Sequence, residues 1–270
     1  MTWWCSAQGL PWDWHWRPYP GVWLFVGAIL GCYFLALRAW DHDGDRRRLV
    51  SFLAGCALLW VAADWPIGPL GAGYLVSVHT VQYILFALAA PPLLIFGTPP
   101  TVRRALVRRQ GALTVARLLS RPLVAFAIFN VVMLGTHLPV VVDGLTPSQL
   151  GSFAIDMSWF VSGLVFWLPV LGPLPELDPM PYPGRIVYLI LNVFIPTVPA
   201  AFLTFADYPI YSLYELAPPV GNISSTVDQQ LAGLTMKIVG GLIIFATASV
   251  LFFRWYAEEE RQPGSAGVTR

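Results

Sequence analysis

Charged residues are scarce in this 270-residue chain. Asp, Glu, Lys and Arg together make up 11% of it, whereas hydrophobic residues make up 56%. A soluble globular domain carries about 25% charged residues, so this chain has too few to cover a water-facing surface of its size. Its net charge of +1 also argues against a nucleic-acid partner, because nucleic-acid-binding domains are strongly basic.

Cysteine is scarce as well. The chain has three cysteines, too few for a small disulfide-stabilised secreted scaffold. Its mean hydropathy of +0.62 rules out an intrinsically disordered chain. The Walker, HExxH and GxGxxG motifs are missing, and so is a GxSxG motif with a histidine partner. We therefore expect an integral membrane protein that is not an enzyme.

Long apolar runs dominate the sequence. A helix needs about 20 mostly apolar residues to cross a bilayer, and the chain contains seven such runs. The strands of a membrane barrel would instead be short and alternating. We predict an all-α integral membrane protein, a bundle of seven transmembrane helices. The predicted spans are residues 21–40, 49–67, 73–97, 122–142, 153–171, 185–205 and 231–255.

The basic residues predict how the bundle is oriented. In a seven-helix bundle, 14 of the 16 Lys and Arg residues fall on one side, and only Arg17 and Lys237 fall on the other. The side rich in Lys and Arg is normally cytoplasmic, so we predict an outside N-terminus and a cytoplasmic C-terminus. Residues 1–256 form the predicted membrane domain, and residues 257–270 form a polar cytoplasmic tail. The basic connection at residues 98–121 is expected to contact anionic lipid headgroups.

Most of the remaining polar residues collect near the predicted outer side. Ionisable residues at membrane depth are costly and are usually functional, so this collection predicts an outward-facing polar pocket. Imidazole suits copper, and the soft thioether of methionine selects Cu(I). The candidate metal ligands are His79, Met133, His137, Asp156 and Met236, and the other pocket residues are Gln82, Tyr83, Asp228, Gln229 and Lys237.

Each candidate also has a structural interpretation. A histidine at a helix end is often an interfacial hydrogen-bonding residue, and a methionine is often a packing residue. Asp156 would pair with Lys237, because a lysine inside a span needs an acidic partner. On the copper interpretation, we expect His79, His137 and Met236 to come close together at the outer end of the bundle.

Several sequence blocks follow one another in a recognisable order. They are VHTVQYIL at 78–85, APPLLIFGTP at 90–99, FN at 129–130, THLP at 136–139, FVSGLVFW at 160–167, YPIYSLY at 208–214 and DQQLAGLTM at 228–236. In this order they resemble the motifs of a known family, the polytopic CtaG-type assembly factors of caa3-type cytochrome c oxidase. The resemblance covers nearly the whole chain.

This resemblance implies a seven-helix protein of the bacterial inner (plasma) membrane that matures the oxidase and handles or inserts copper at the outer face. Its implied partners are oxidase subunits, or those of another respiratory complex, and the lipid bilayer. The family pattern is matched at His79, Gln82, His137, Asp228, Gln229 and Met236. In the family, histidines stand in place of Tyr83, Ser152 and Asp156, and a tryptophan stands in place of Lys237.

Two other functions compete with copper handling. The replaced histidines favour a metal-free structural or accessory subunit of a respiratory membrane complex that kept the fold. A transporter is the third candidate, but transporters place polar groups on broken helices near the bilayer midplane. Few polar residues accompany the helix-breaking prolines here, so we rank the transporter last.

Overall fold

The computed structural model describes residues 2–41, 45–177 and 179–261. Within these ranges the regular structure is helical and contains no strand, which confirms the predicted all-α class. The helices are α1 Pro20–Trp40, α2 Arg46–Ala63, α3 Ile67–Gly73, α4 Val76–Gly97, α5 Pro100–Leu106, α6 Gln110–Leu119, α7 Pro122–Thr136, α8 Pro139–Leu145, α9 Gln149–Leu171, α10 Tyr182–Phe194, α11 Thr197–Phe205, α12 Ser212–Glu215 and α13 Ser225–Glu260.

Five helical segments are long and apolar enough to cross a membrane. The count rises to as many as seven if two bent pairs each form one span: α2 with α3, bent by 45°, and α6 with α7, bent by 70°. The five candidates that pass without a bent pair are Pro20–Trp40, Val76–Gly97, Gln149–Leu171, Tyr182–Phe205, which joins α10 and α11, and Ser225–Glu260. The described residues therefore contain five to seven candidate membrane spans, as expected of a membrane protein, and the exact number of seven stays a prediction.

Local sequence decides where several helices begin and end. The Ser148 hydroxyl caps α9 by accepting a hydrogen bond from the Gly151 N–H, which satisfies a donor that the first helical turn leaves free. Pro139 has no N–H and disfavours helical geometry in the residue before it, so α7 ends and α8 starts as a separate helix. The prediction of one continuous helix over 122–142 is therefore wrong.

The last helix is longer than predicted. It begins at Ser225 and runs to Glu260, so it continues past the boundary that we predicted between the membrane domain and the tail. Residues 262–270, which make up most of the predicted tail, lie outside the described ranges.

The bundle has two chemically different ends, each defined by contacts between distant segments. At the N-terminal end, Asp228 of α13 contacts Val76 of α4. At the arginine-rich end, Arg104 of α5 pairs with Glu176. The described arginines at that second end are Arg38, Arg46, Arg47, Arg48, Arg103, Arg104, Arg108, Arg109, Arg117, Arg121, Arg185, Arg254 and Arg261. This clustering agrees with the charge pattern, and the side of the membrane that each end faces stays a prediction.

Residues 2–19 lie across the N-terminal end, and we call them the N-terminal strap. The Trp3 N–H donates to Oε1 of Gln149, and the Trp3 carbonyl accepts from the Gly21 N–H. A Cβ atom on Gly21 would lie 2.6 Å from that carbonyl oxygen, so only glycine permits this close approach. The next residue, Trp4, is fully buried. The strap is therefore part of the packed structure.

Candidate functional site

Two histidines from different helices pack against one tryptophan. Trp159 of α9 is fully buried. The ring centroids of His79 in α4 and His137 at the end of α7 lie 4.9 Å and 6.2 Å from its indole centroid. Tyr83, one turn after His79, lies 5.6 Å from Trp159 and 5.1 Å from His137. We call these four residues the Trp159 cluster.

A short chain of hydrogen bonds fixes the central indole. Trp159 Nε1 donates to the Thr136 hydroxyl over 2.8 Å, and that hydroxyl donates to the Val132 carbonyl over 2.8 Å. The position of Trp159 is therefore coupled to the last turn of α7, which also carries His137. A ring held in this way gives the two imidazoles a rigid common wall.

His137 presents a free nitrogen lone pair. Its Nδ1 atom lies 2.7 Å from the Met133 carbonyl oxygen. A carbonyl oxygen only accepts hydrogen bonds, so in the neutral ring Nδ1 carries the proton and Nε2 carries the lone pair. Nε2 is buried and has no hydrogen-bond partner among the described residues. Metal-binding histidines use this arrangement, with one nitrogen donating to a carbonyl and the other facing the metal.

His79 has the same unpartnered atom. Its Nε2 is also buried without a hydrogen-bond partner in the described part of the chain. The Tyr214 ring centroid lies 5.9 Å from the His79 ring, and the Tyr214 hydroxyl donates to the Gly71 carbonyl. Both imidazoles are at least nine-tenths buried. Buried polar atoms are normally satisfied, so two unpartnered Nε2 atoms in one cluster call for a functional explanation.

Gly71 also explains how Gln82 is placed. A Cβ atom on Gly71 would lie 1.8 Å from the side-chain oxygen of Gln82, so only glycine leaves room for that amide. The Gln82 amide nitrogen then donates to the Ala62 carbonyl over 2.9 Å. Gln82 thus links α4 to the end of α2 and takes no part in the Trp159 cluster.

Asp156 is tied to the strap. Its Oδ2 atom accepts a 2.8 Å hydrogen bond from Trp4 Nε1, and both side chains are buried. Within the described residues, no group of three or more His, Cys, Asp or Glu side chains could hold a metal ion. His79, His137 and Asp156 therefore do not form a three-ligand centre here.

The two candidate methionines occupy different places. Met133 meets His137 through its backbone carbonyl. Met236 lines a small cavity of about 20 Å³ together with Tyr83, Asn192 and Lys237. Tyr83 borders both places, because it lines the cavity of Met236 and its ring makes an edge contact with His137.

Lys237 does not pair with Asp156. Its amine donates to the Thr197 hydroxyl at the start of α11, and the lysine is exposed on the bundle surface. Asp156 instead uses Trp4. The predicted ion pair is wrong because the sequence shows depth along a helix but not which way a side chain faces.

Asp228 and Gln229 hold backbone rather than a ligand. The Asp228 carboxylate accepts hydrogen bonds from the Val76 and Ser77 N–H groups and from the Ser77 hydroxyl, so it caps the first turn of α4 from another helix. Gln229 accepts from the Ile210 N–H and donates to the Tyr208 carbonyl. Asp228 thus fixes α4, and with it His79, relative to α13, whereas Gln229 holds the segment at residues 208–210.

Sequence reasoning missed the central residue. Trp159 was not among the candidates, although it lies three residues after Asp156 and therefore on the same helix face. Tyr211 was also missed, and its hydroxyl donates to the His137 carbonyl over 2.9 Å. Both Tyr211 and Tyr214 lie within the YPIYSLY block, so the sequence did carry a signal for them.

Comparison with known proteins adds a family and two relatives. The family model described as cytochrome c oxidase caa3 assembly factor (Caa3_CtaG) matches residues 31–258. This range includes the whole Trp159 cluster and the DQQ motif. No solved structure matches significantly.

The two relatives are mycobacterial. They are uncharacterized protein Mb0105 of Mycobacterium bovis and uncharacterized protein MT0111 of Mycobacterium tuberculosis. Each is 25% identical over 257 residues, which cover 89% of this chain and 38% of the relative. The chain therefore spans about two-fifths of the length of these curated relatives.

Proposed function

The chain belongs to the family of cytochrome c oxidase caa3 assembly factors. We propose that it serves the oxidase as a Cu(I) carrier, with the ion bound by the side chains of both His79 and His137. One observation supports this proposal above the others. The Nε2 atoms of both histidines are buried, lack hydrogen-bond partners among the described residues and belong to rings on the same indole. A bound ion would satisfy both nitrogen atoms.

The chemistry of the pair favours Cu(I) over zinc. Structural zinc sites use four protein ligands and catalytic zinc sites use three, whereas this cluster offers two imidazole nitrogens. Burying an ion costs more as its uncompensated charge rises, and two neutral imidazoles compensate none of it. A singly charged ion is therefore the least costly choice, and imidazole is a good copper ligand.

The same features suit a cargo that must be released. The cluster has neither a thiolate nor a carboxylate ligand, and two ligands hold an ion less firmly than four. The structural groups around the cluster, Thr136 at Trp159 and the Met133 carbonyl at His137, are complete without metal. We therefore propose that loading and release leave the surrounding bundle unchanged, and that the protein acts as a carrier rather than an enzyme.

Cu(I) titration of the purified protein tests this proposal. In anaerobic buffer with a chromogenic Cu(I) chelator as competitor, the wild-type chain should bind one Cu(I). His79→Ala and His137→Ala should each weaken binding by more than about 100-fold, because losing even an outer-shell partner of a metal ligand costs 10–100-fold. His15→Ala is the matched control, since the His15 side chain is 92% exposed, and it should bind like wild type.

The alternative is a metal-free accessory subunit of a respiratory membrane complex. This alternative is favoured because the described residues contain no group of three or more His, Cys, Asp or Glu side chains that could hold a metal ion. If the wild-type chain bound no Cu(I), while both histidine variants still supported oxidase activity in cells, the carrier role would be excluded and this alternative would stand. We place the protein in the bacterial plasma membrane with the Trp159 cluster near the outer face, on the arginine asymmetry.

A further inference from the structure

Trp159 lies where an ion held by both His79 and His137 would meet it. Its indole centroid is 4.9 Å from the His79 ring centroid and 6.2 Å from the His137 ring centroid. Trp159 is fully buried, so both contacts lie inside the bundle. An ion bound between two imidazoles that contact the same indole lies beside that indole. The aromatic ring therefore forms a third side of the proposed copper site.

The indole of Trp159 does not serve as a nitrogen ligand. An indole Nε1–H group only donates hydrogen bonds, and here it donates to the Thr136 hydroxyl over 2.8 Å. This hydrogen bond directs the polar edge of the ring towards the last turn of α7. The rest of the ring is carbon, and the faces of an aromatic ring carry partial negative charge.

The charge of a bound Cu(I) ion needs a partner of this kind. Two neutral imidazoles bring no negative charge, and burying an uncompensated charge is costly. Asp156, one turn before Trp159 on α9, already accepts a hydrogen bond from the Trp4 indole. A cation within about 6 Å of an aromatic ring centroid is attracted to the ring, most strongly where water is excluded.

Trp159 is better placed for this contact than the second aromatic ring of the cluster. The Tyr83 ring contacts His137 over 5.1 Å and also lines the cavity of Met236. Trp159 contacts both histidines. An indole also attracts a cation more strongly than a phenol ring does. The position and the chemistry of the ring therefore select the same residue.

We infer that Trp159 is a direct contact of the copper ion, and that the face of its indole stabilises the charge of Cu(I) bound by His79 and His137. The inference rests on the proposed function for the identity of the ion. It assigns to Trp159 a part of the affinity that the two nitrogen ligands do not supply. Attraction to an aromatic ring is weak compared with the cost of burying a doubly charged ion, so the contact suits a singly charged one.

Fluorinated tryptophan at position 159 tests the contact. Ring fluorines withdraw electron density from the indole face and change its shape very little, so the fold is kept. Analogues with one, two and three fluorines should weaken Cu(I) binding step by step, by up to about 30-fold in total. The same analogues at Trp167 are the matched control, because Trp167 is also buried on α9 but packs edge-on against Phe166. An affinity unchanged at position 159, or lowered equally at both positions, would overturn the inference.

Tryptophan fluorescence gives a second measurement. A copper ion in contact with an indole should quench its emission. Trp159→Phe should therefore lose most of the quenching that Cu(I) causes in the wild-type chain, whereas Trp167→Phe should keep it. Equal quenching in the two variants would place the ion away from Trp159.

The inference and the proposed function fail in different ways. If the wild-type chain bound no Cu(I), the carrier role would fail and the Trp159 contact with it. The carrier role would stand alone if both histidines were needed for Cu(I) binding but fluorination at position 159 had no effect. If Asp156→Asn then lowered the affinity, the stabilising charge would be that of Asp156.

Discussion

The two ends of the bundle use polar residues in opposite ways. At the N-terminal end, buried and partly buried side chains hold the backbone of distant segments. Asp228 holds the start of α4, and Asp143 accepts from the Ser212 and Leu213 N–H groups. Each of these hydrogen bonds joins parts of the chain that are far apart in sequence, so together they fix the geometry around the Trp159 cluster.

At the arginine-rich end, the polar residues are largely exposed. They form exposed side-chain pairs or, like Arg48 and Arg117, donate to backbone carbonyls at exposed positions. Arg104 and Glu176 are 3.4 Å apart, with 60% and 41% of their side chains exposed. The Tyr182 hydroxyl donates to Glu258, and that contact is also exposed. Exposed pairs of this kind contribute little to stability.

The difference separates two tasks. At the arginine-rich end, the number of positive charges matters more than the exact position of each one, because an excess of Lys and Arg on one side biases the orientation of the chain in the membrane. Polar groups at the N-terminal end act through their positions, because each buried group must find one partner. Substitutions should therefore be costly at the N-terminal end and tolerated at the other.

The largest effect is expected at Asp228. Asp228→Ala leaves the buried Val76 N–H without its acceptor, and we expect the free energy of unfolding to fall by about 2–4 kcal/mol, since hydrogen bonds to charged groups are strong. Denaturant unfolding in detergent micelles, followed by circular dichroism, measures the change. Glu258→Ala, at the arginine-rich end, is the control and should change it by less than about 0.5 kcal/mol. If both variants lost the same free energy of unfolding, polar residues would contribute equally to stability at the two ends, and our account of the difference would be wrong.

The next largest effect is expected at the hydrogen bond between Trp4 of the strap and Asp156 of α9, which we call the latch. Trp4→Phe removes the indole donor and leaves the buried Asp156 carboxylate unpaired, which should cost about 1–3 kcal/mol of unfolding free energy. Trp3→Phe is the matched control, because Trp3 uses only backbone atoms in its hydrogen bonds. The same unfolding assay reports both variants. If Trp3→Phe cost as much as Trp4→Phe, the loss would come from packing and not from the latch.

A smaller effect is expected at Lys237. This lysine is exposed and bonded to Thr197, so Lys237→Met should change the free energy of unfolding by about 0.5 kcal/mol or less. Combined with Asp156→Asn, its effect should be additive, because the two residues share no partner. A coupling energy well above about 0.5 kcal/mol in the double-mutant cycle would instead support an ion pair between Lys237 and Asp156, which the structure does not contain.

The smallest effect is expected at Arg104. Arg104→Gln removes an exposed ion pair and should cost about 0.2 kcal/mol, with even less at high salt. Unfolding measured at low and high ionic strength checks this value. A loss as large as that of Asp228→Ala would show that the arginine-rich end also fixes structure.

Sequence alone predicted the helical membrane class, and the charge pattern marked the arginine-rich end, because both depend on composition and order along the chain. It also selected His79 and His137. It could not predict the hydrogen-bond partner of Asp228, because that partner, Val76, is 152 residues away. It also paired Lys237 with the wrong residue. Both outcomes depend on which helix faces meet, and Trp159 was missed for the same reason.

X-ray absorption at the copper edge of the Cu(I)-loaded protein tests the central claim most directly. Our account predicts two nitrogen ligands at about 2 Å, a typical metal–imidazole distance, and no sulfur shell. The signal should disappear in His79→Ala and His137→Ala and persist in Met236→Leu. A sulfur ligand at about 2.3 Å, or an unchanged spectrum in either histidine variant, would contradict a site built from His79 and His137.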